Sequence, residues 1–363
     1  MSTMLPRRHN RPRPIIRGGR GPRDRRRPSL AAMTLQEYVS TGSLPSPAQV
    51  RLALDEAFRL FRDEAGGEPS HVYPALARVP PDLFGLCAAG TRGGVHPVGD
   101  ADHGFTIMSV AKPFVFALVC QTLGPQALRR RLGVNATGLP FNSLAAVERG
   151  PDGRTNPMVN PGAIATASLA PGATAAAKWA FLHAGLSRFA GHDLAVDDDV
   201  FASASATNHR NRALADLLQT YHILGCDPVD AVDLYTRQSC LRVTATELAT
   251  MGATLANGGV HPATGEQVVD REICHFTLAV MATAGLYETS GDWLYDVGVP
   301  GKSGIGGGIV VVSPGKGALA AFAPRLDGFG NSVRGQLAAR FLSRRLGLTL
   351  FASEPDKGRA PAA

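Results

Sequence analysis

GKSGIGGG (301–308) runs directly into IVVVS (309–313), PGKG (314–317) and ALAAFA (318–323). A short β-branched apolar run, a Pro-Gly-Lys-Gly turn and a second apolar run form the pattern of a buried β-hairpin. Working outward, a matching pair lies far upstream, where FGLCAAG (84–90) and VHPVGD (95–100) flank the glycine-rich turn TRGG (91–94). The stretch between the two hairpins has mostly helical periodicity, at 114–123, 211–225, 229–239 and 244–257. Ser46-Pro47 followed by Val50, Leu54, Phe58 and Phe61 predicts a capped amphipathic helix of about four turns. Val333 to Leu346 predicts a last amphipathic helix. Strands at both sequence ends with helices between them imply one antiparallel sheet formed by the two ends of the domain, with an inserted helical lobe. The expected fold class is α+β, in one domain spanning 45–347.

The chain has 363 residues, 44% of them hydrophobic and 18% charged, with a mean hydropathy of zero. That balance suits a globular protein with one large core or two ordinary ones. No apolar run approaches the roughly 18–20 residues of a membrane-spanning helix, so no membrane association is expected. The five cysteines, Cys87, Cys120, Cys226, Cys240 and Cys274, are widely spaced and include no Cys-x-x-Cys pair. That argues against a disulfide framework or structural zinc and fits a reducing, cytoplasmic setting. The ten histidines form no His-x-x-x-His pair, and neither a metal nor another cofactor is expected.

The formal charge of +7 invites a nucleic-acid reading until it is located. Residues 1–30 hold ten arginines and one acid, Asp24, a net of +9, which leaves −2 for residues 31–363. The tail RRHNRPRPIIRGGRGPRDRRRP (7–28) has almost nothing apolar to bury, and it lacks the apolar stretch of a secretory signal. Residues 1–32 therefore read as a disordered basic extension, or as the product of a start upstream of Met33, rather than as a nucleic-acid anchor. Residues 351–363 read as a second disordered tail.

Two segments carry candidate chemistry. In Ser109-Val-Ala-Lys112 the spacing i, i+3 puts a hydroxyl and an amine on one helix face. Pro113 fits only a first helical turn, so the helix through PFVFALVCQTL begins near Ser109, with free N–H groups beside the serine. A desolvated lysine can act as a base toward a serine. Taken alone, a capping serine with a solvated lysine would be written in the same letters. The second segment, Lys302-Ser303-Gly304 at the edge of a strand, could open backbone N–H groups to an oxyanion, though a plain glycine-rich bulge fits it equally well. It is not a phosphate-binding P-loop, which would need glycine where Asp296 stands and a helix after the Lys-Ser.

A Ser-x-x-Lys at a helix start with a later Lys-Ser/Thr-Gly strand is the arrangement of serine β-lactamases and penicillin-binding proteins. Seven blocks then occur in order: FTIMSVAKPF (105–114), GLPFNSLAAVE (138–148), NPMVNPGAIAT (156–166), HRN (209–211), ATLANGGVHPATGE (253–266), GLYETSGDWLYDVGVPGKSGIGGG (285–308) and LDGFGNSVRG (326–335). On these the chain resembles the bacterial and mitochondrial-type glutaminases, over about residues 45–340. The resemblance implies a β-lactamase-like fold and a cofactor-free hydrolysis of L-glutamine by a homo-oligomer, a dimer or tetramer. It implies Ser109 as nucleophile and Lys112 as the group that takes its proton. Tyr287 would pass a proton to ammonia, and Tyr235 would help hold the substrate. The N–H groups of Ser109 and Ile305 would form the oxyanion hole, and Asn160 and Asn211 would grip the amino-acid end.

The chain departs from the family's pattern twice. The family's glutamate seven residues before the Asn of its Arg-Asn motif, which binds the substrate α-amino group, is Ala204 here, with Asp197, Asp198 and Asp199 close upstream. The family's Tyr-x-Pro-x-Leu-Ala is Val72-Tyr73-Pro74-Ala75-Leu76-Ala77, with the tyrosine one position late. Two alternatives follow: an amidase for another ω-amide, or a binding or scaffold homologue weakened in catalysis.

Overall fold

A computed structural model describes residues 42–353; the basic tail 1–32 and all but the first three residues of the C-terminal tail lie outside the described residues. Seven strands are present: β1 (Gly85–Gly90), β2 (Val95–Gly99), β3 (Phe105–Thr106), β4 (Arg242–Val243), β5 (Gly301–Ser303), β6 (Gly308–Ser313) and β7 (Gly317–Phe322). The helices in chain order are α1 (Pro47–Phe61), α2 (Ala111–Leu123), α3 (Pro125–Leu132), α4 (Leu144–Arg149), α5 (Asn160–Ser168), α6 (Ala175–Ala190) and α7 (Asp198–Thr207). They continue as α8 (His209–Thr220), α9 (Pro228–Ser239), α10 (Ala245–Ala256), α11 (Arg271–Ala284), α12 (Ser290–Val297) and α13 (Val333–Arg345).

Both expected hairpins form, and they join edge to edge. The five-stranded sheet has the order β2-β1-β7-β6-β5, antiparallel throughout, with β1 paired to β7 from Gly85↔Phe322 to Gly90↔Gly317. Alternation along the strands divides two cores. Leu86, Ala88, Ile309, Val311, Leu319 and Ala321 face one core, which α1 and α13 cover with Leu54, Ala338 and Leu342. Cys87, Ala89, Val310, Val312, Ala320 and Phe322 face the other, continuous with the helical lobe through Leu248 and Met251 of α10. Gly252 lets α10 approach closely, since a Cβ there would lie 2.7 Å from both Ala318 Cβ and Val310 Cγ2.

α1 begins as its sequence predicts, with Ser46 and Gln49 forming a capping box and Pro47 in the first turn. Two local expectations need correction. GKSGIGGG does not run straight into one strand; it contributes its own edge strand, β5, before turning back into β6. The helix expected over 211–225 ends at Thr220, because His222 adopts φ 55 and turns the chain. Tyr287 opens a 3₁₀ turn, Tyr287–Thr289.

Candidate active site

Ser109 lies in a 3₁₀ turn, Met108–Val110, that leads into α2, so the helix starts two residues later than the serine. Pro113 falls in the first turn of α2, where its missing N–H costs nothing. Met108 is held at φ 47, a conformation costing of order 1–3 kcal/mol that surrounding structure must impose. That structure is the pairing of β3 with β4 and the Ile107 N–H bond to Leu241 O at 2.9 Å. From the other side the glycine-rich turn presses on the serine. A Cβ on Gly304 would come within 3.2 Å of the Ser109 nitrogen, and one on Gly306 within 2.5 Å of Thr106 O. The two sequence motifs thus meet backbone to backbone. Among the described residues, neither the Ser109 nor the Ile305 N–H has a backbone acceptor.

Lys112 is 2% exposed, and its ammonium has no carboxylate partner. It donates to Asn160 Oδ1 at 2.7 Å and to Met158 O at 3.3 Å. Burial without a counter-charge pulls its pKa down to about 7. Tyr235, on α9, donates to the same Asn160 Oδ1 at 3.0 Å. Tyr235 and Ser109 line the same cavity, and the Ser109 hydroxyl opposes the effect of burial on both the Tyr235 and the Tyr287 phenol. Burial raises both phenol pKa values, so each tyrosine stays protonated at neutral pH and can hand on a proton without becoming a stable anion. Tyr287 also donates to Ser303 O at 3.2 Å, and like Met108 it is strained, at φ 55.

Asn160 opens α5 beside Pro161, and Asn211 lies on α8; their amides are joined at 2.9 Å. Ser109, Asn160, Asn211, Tyr235 and Ile305 line one narrow cavity of about 80 Å³. Lys112 and Tyr287 stand behind its wall. Tyr73 lines the cavity too, beside Asn211, and burial lifts its pKa to about 12. The one-residue shift in its motif therefore does not remove it from the site. Among the described residues, no carboxylate lines the cavity. Ala204 is fully buried in an apolar cluster with Ala75, Leu76, Met108 and Cys240. The nearby acids do not replace a glutamate: Asp197 caps α7 through the Val200 N–H, and Asp199 pairs with Arg78 at the surface.

Three further residues belong to the site. Lys302 is fully buried, donates to Ser303 O and lies 4.5 Å from the centre of the Tyr287 ring. Burial and then the neighbouring Lys112 charge push its pKa well below the usual range. Its signal was the Lys-Ser-Gly motif itself. Asn208 and Thr236 continue the hydrogen bonds of Asn211. Asn208 sits three residues before Asn211 and so shares its helix face, a spacing visible in the sequence but unspecific.

A family model described as Glutaminase matches residues 67–351. Glutaminase 2 of Yersinia pestis is 63% identical over 319 residues, covering 88% of this chain and 94% of that protein. Among solved structures, the probable glutaminase ybaS superposes with a TM-score of 0.84 at 41% identity, covering 85% of this chain and 100% of that one. The probable glutaminase from Bacillus subtilis complexed with 6-diazo-5-oxo-L-norleucine gives a TM-score of 0.74 at 29% identity, over 84% of this chain and 97% of that one. The α+β sheet and helical lobe are the β-lactamase-like fold that these structural neighbours have. With a family match over residues 67–351 and 63% identity to one relative over 319 residues, the chain belongs to the glutaminase family.

Proposed function

We propose that this chain hydrolyses L-glutamine to L-glutamate and ammonia through an ester of Ser109. The observation that carries the reading is that Ser109 shares one cavity with Tyr235 and Asn160, and that Asn160 Oδ1 holds the desolvated Lys112 amine and the Tyr235 hydroxyl together. In the first step Ser109 Oγ attacks the side-chain amide carbon, and neutral Lys112 takes the hydroxyl proton. The N–H groups of Ser109 and Ile305 receive the oxyanion, each worth roughly 3–4 kcal/mol in comparable acyl-transfer sites. Tyr287 delivers a proton to the departing nitrogen and is reprotonated from the Lys112 ammonium, so ammonia leaves neutral and the lysine is again a free base. Water then attacks the ester carbon as Lys112 takes its proton, and that proton returns to Ser109 Oγ as glutamate leaves. Tyr235, Asn160 and Asn211 hold the amino-acid end. The test is ammonia release from L-glutamine by the parent chain and by Ser109→Ala. Release by the parent, with a loss of at least about 10³-fold in the variant, is expected; equal rates in the two would overturn the serine ester.

One observation favours a wider substrate range. A cavity without a carboxylate offers an α-ammonium only neutral acceptors, which are worth less than a charge-assisted bond. An ω-amide whose amino end is acylated then loses little. N-acetyl-L-glutamine is expected to be hydrolysed with a kcat/KM within about tenfold of that for glutamine. A preference for the free amino acid above 10³-fold would remove this second reading.

A further inference from the structure

A chain of buried hydrogen bonds leaves Lys112 and runs into the helical lobe. Lys112 Nζ donates to Asn160 Oδ1, Asn160 Nδ2 to Asn211 Oδ1, Asn211 Nδ2 to Asn208 Oδ1, and Asn208 Nδ2 to Thr236 Oγ1 at 2.8 Å. Thr236 Oγ1 ends the chain on Val232 O at 2.6 Å, within α9. All four side chains beyond the lysine are buried. A carboxamide can turn by half a rotation with little change of shape, exchanging its donor for its acceptor. Three linked amides therefore have two self-consistent directions.

The far end selects one. Two oxygens 2.6 Å apart share a hydrogen, and a backbone carbonyl has none to give, so the Thr236 hydroxyl hydrogen is committed to Val232 O. Thr236 then offers only lone pairs to Asn208, which must turn its NH₂ toward them. That sets Asn208 Oδ1 toward Asn211, Asn211 Oδ1 toward Asn160, and Asn160 Oδ1 toward Lys112 and Tyr235.

We propose that Thr236 and Asn208 are positioning residues that set the direction of this relay, and thereby keep the lone pair of the Lys112 amine free to take a proton. The inference rests on Lys112 acting as the base in the reading above. In the observed direction the amine spends its N–H groups on Asn160 Oδ1 and Met158 O. In the reversed direction the Asn160 NH₂ would donate into the amine, occupying the lone pair that base catalysis needs and opposing the ammonium form.

The test is the pH profile of kcat/KM for glutamine in Thr236→Val, which keeps the side-chain shape and removes the hydroxyl. The titratable groups facing the Lys112 amine are Tyr235 from α9 and Lys302 from β5, and both are unchanged in this variant. The plateau is expected to fall about tenfold, while the acidic limb moves to lower pH by about half a unit, since a donor in place of an acceptor disfavours the ammonium. Thr236→Ser should restore both. Mere loosening would let water in and move the limb to higher pH, and that outcome, or an unmoved profile, overturns the relay. If Thr236→Val does not fold, Asn208→Ala cuts the same chain at a helix N-cap that makes no capping bond, and the same two changes are expected. Glutamine turnover by the parent tests the functional reading alone. The Lys112 ¹³Cε titration in parent and variants reports the relay without turnover, and an unshifted midpoint sinks it.

Discussion

Lys112 shows what a single buried amine does to both chemistry and stability. Its folded pKa of about 7 lies well below the 10.5 of an unburied lysine, so a neutral base is available at physiological pH, and activity should rise with pH through about 7 before reaching a plateau. The same shift is a cost to folding. Between pH 7 and 10.5 the unfolded chain binds the proton that the folded chain has released, so stability increases with pH across that window and is lowest below it. Lys112→Met is therefore expected to raise the free energy of unfolding by about a few kcal/mol at pH 6 and by far less at pH 10, as read from denaturant melts at the two pH values. Equal gains at both pH values would show that the amine is not desolvated. At this scale Ser109, Lys112, Asn160 and Asn211 were legible from motif blocks, because each block's letters are local. Lys302 was legible as part of a motif but not as a group beside Tyr287. Asn208 and Thr236 were not legible, because their roles exist only through partners 3 and 28 residues away in sequence.

Among the elements, the glycine-rich turn between β5 and β6 controls how closely the oxyanion site approaches the serine. Gly306 is needed for close approach to Thr106 O rather than for a positive φ. In Gly306→Ala the added methyl pushes the turn off Met108–Val110. We expect kcat to fall at least about tenfold, with a stability loss of roughly 1–3 kcal/mol, as for overpacking elsewhere. Full activity in that variant would mean that the N–H of Ile305 is not part of the site. The helices that sequence periodicity resolved best were α1, α9 and α13, which present different residues to core and solvent, while the two hairpins were marked by their glycine-rich turns. All nine residues of α5 and the first ten of α2 are buried. A helix apolar on every side has no amphipathic stripe, so its existence was clear in α2 only from Pro113 and its boundaries were not.

In the whole molecule, the sheet separates two cores, and the site lies where the end of β5, the turn before α2 and the helical lobe converge. Among the described residues, the cavity is lined between Val72 and Ile305, and the sheet cores draw on residues from Leu44 onward. Removing residues 1–41, with their arginines, is therefore expected to leave glutamine turnover within about twofold of the full chain. A large loss would assign the basic tail a part in catalysis. Among the described residues, no helix is long and apolar enough to cross a membrane. Taken by itself, the amino-acid sequence determined the alternation of the hairpin strands, the caps and turns that bound them, and the order of the motif blocks. These depend on residues near one another in the chain. Only the tertiary structure decided that β1 pairs with β7, that Tyr73 lines the same cavity as Asn211 despite its shifted motif, and that no carboxylate among the described residues lines that cavity. It also decided the direction of the amide relay. Those outcomes depend on which distant groups burial brings within hydrogen-bonding distance, and no local pattern encodes that.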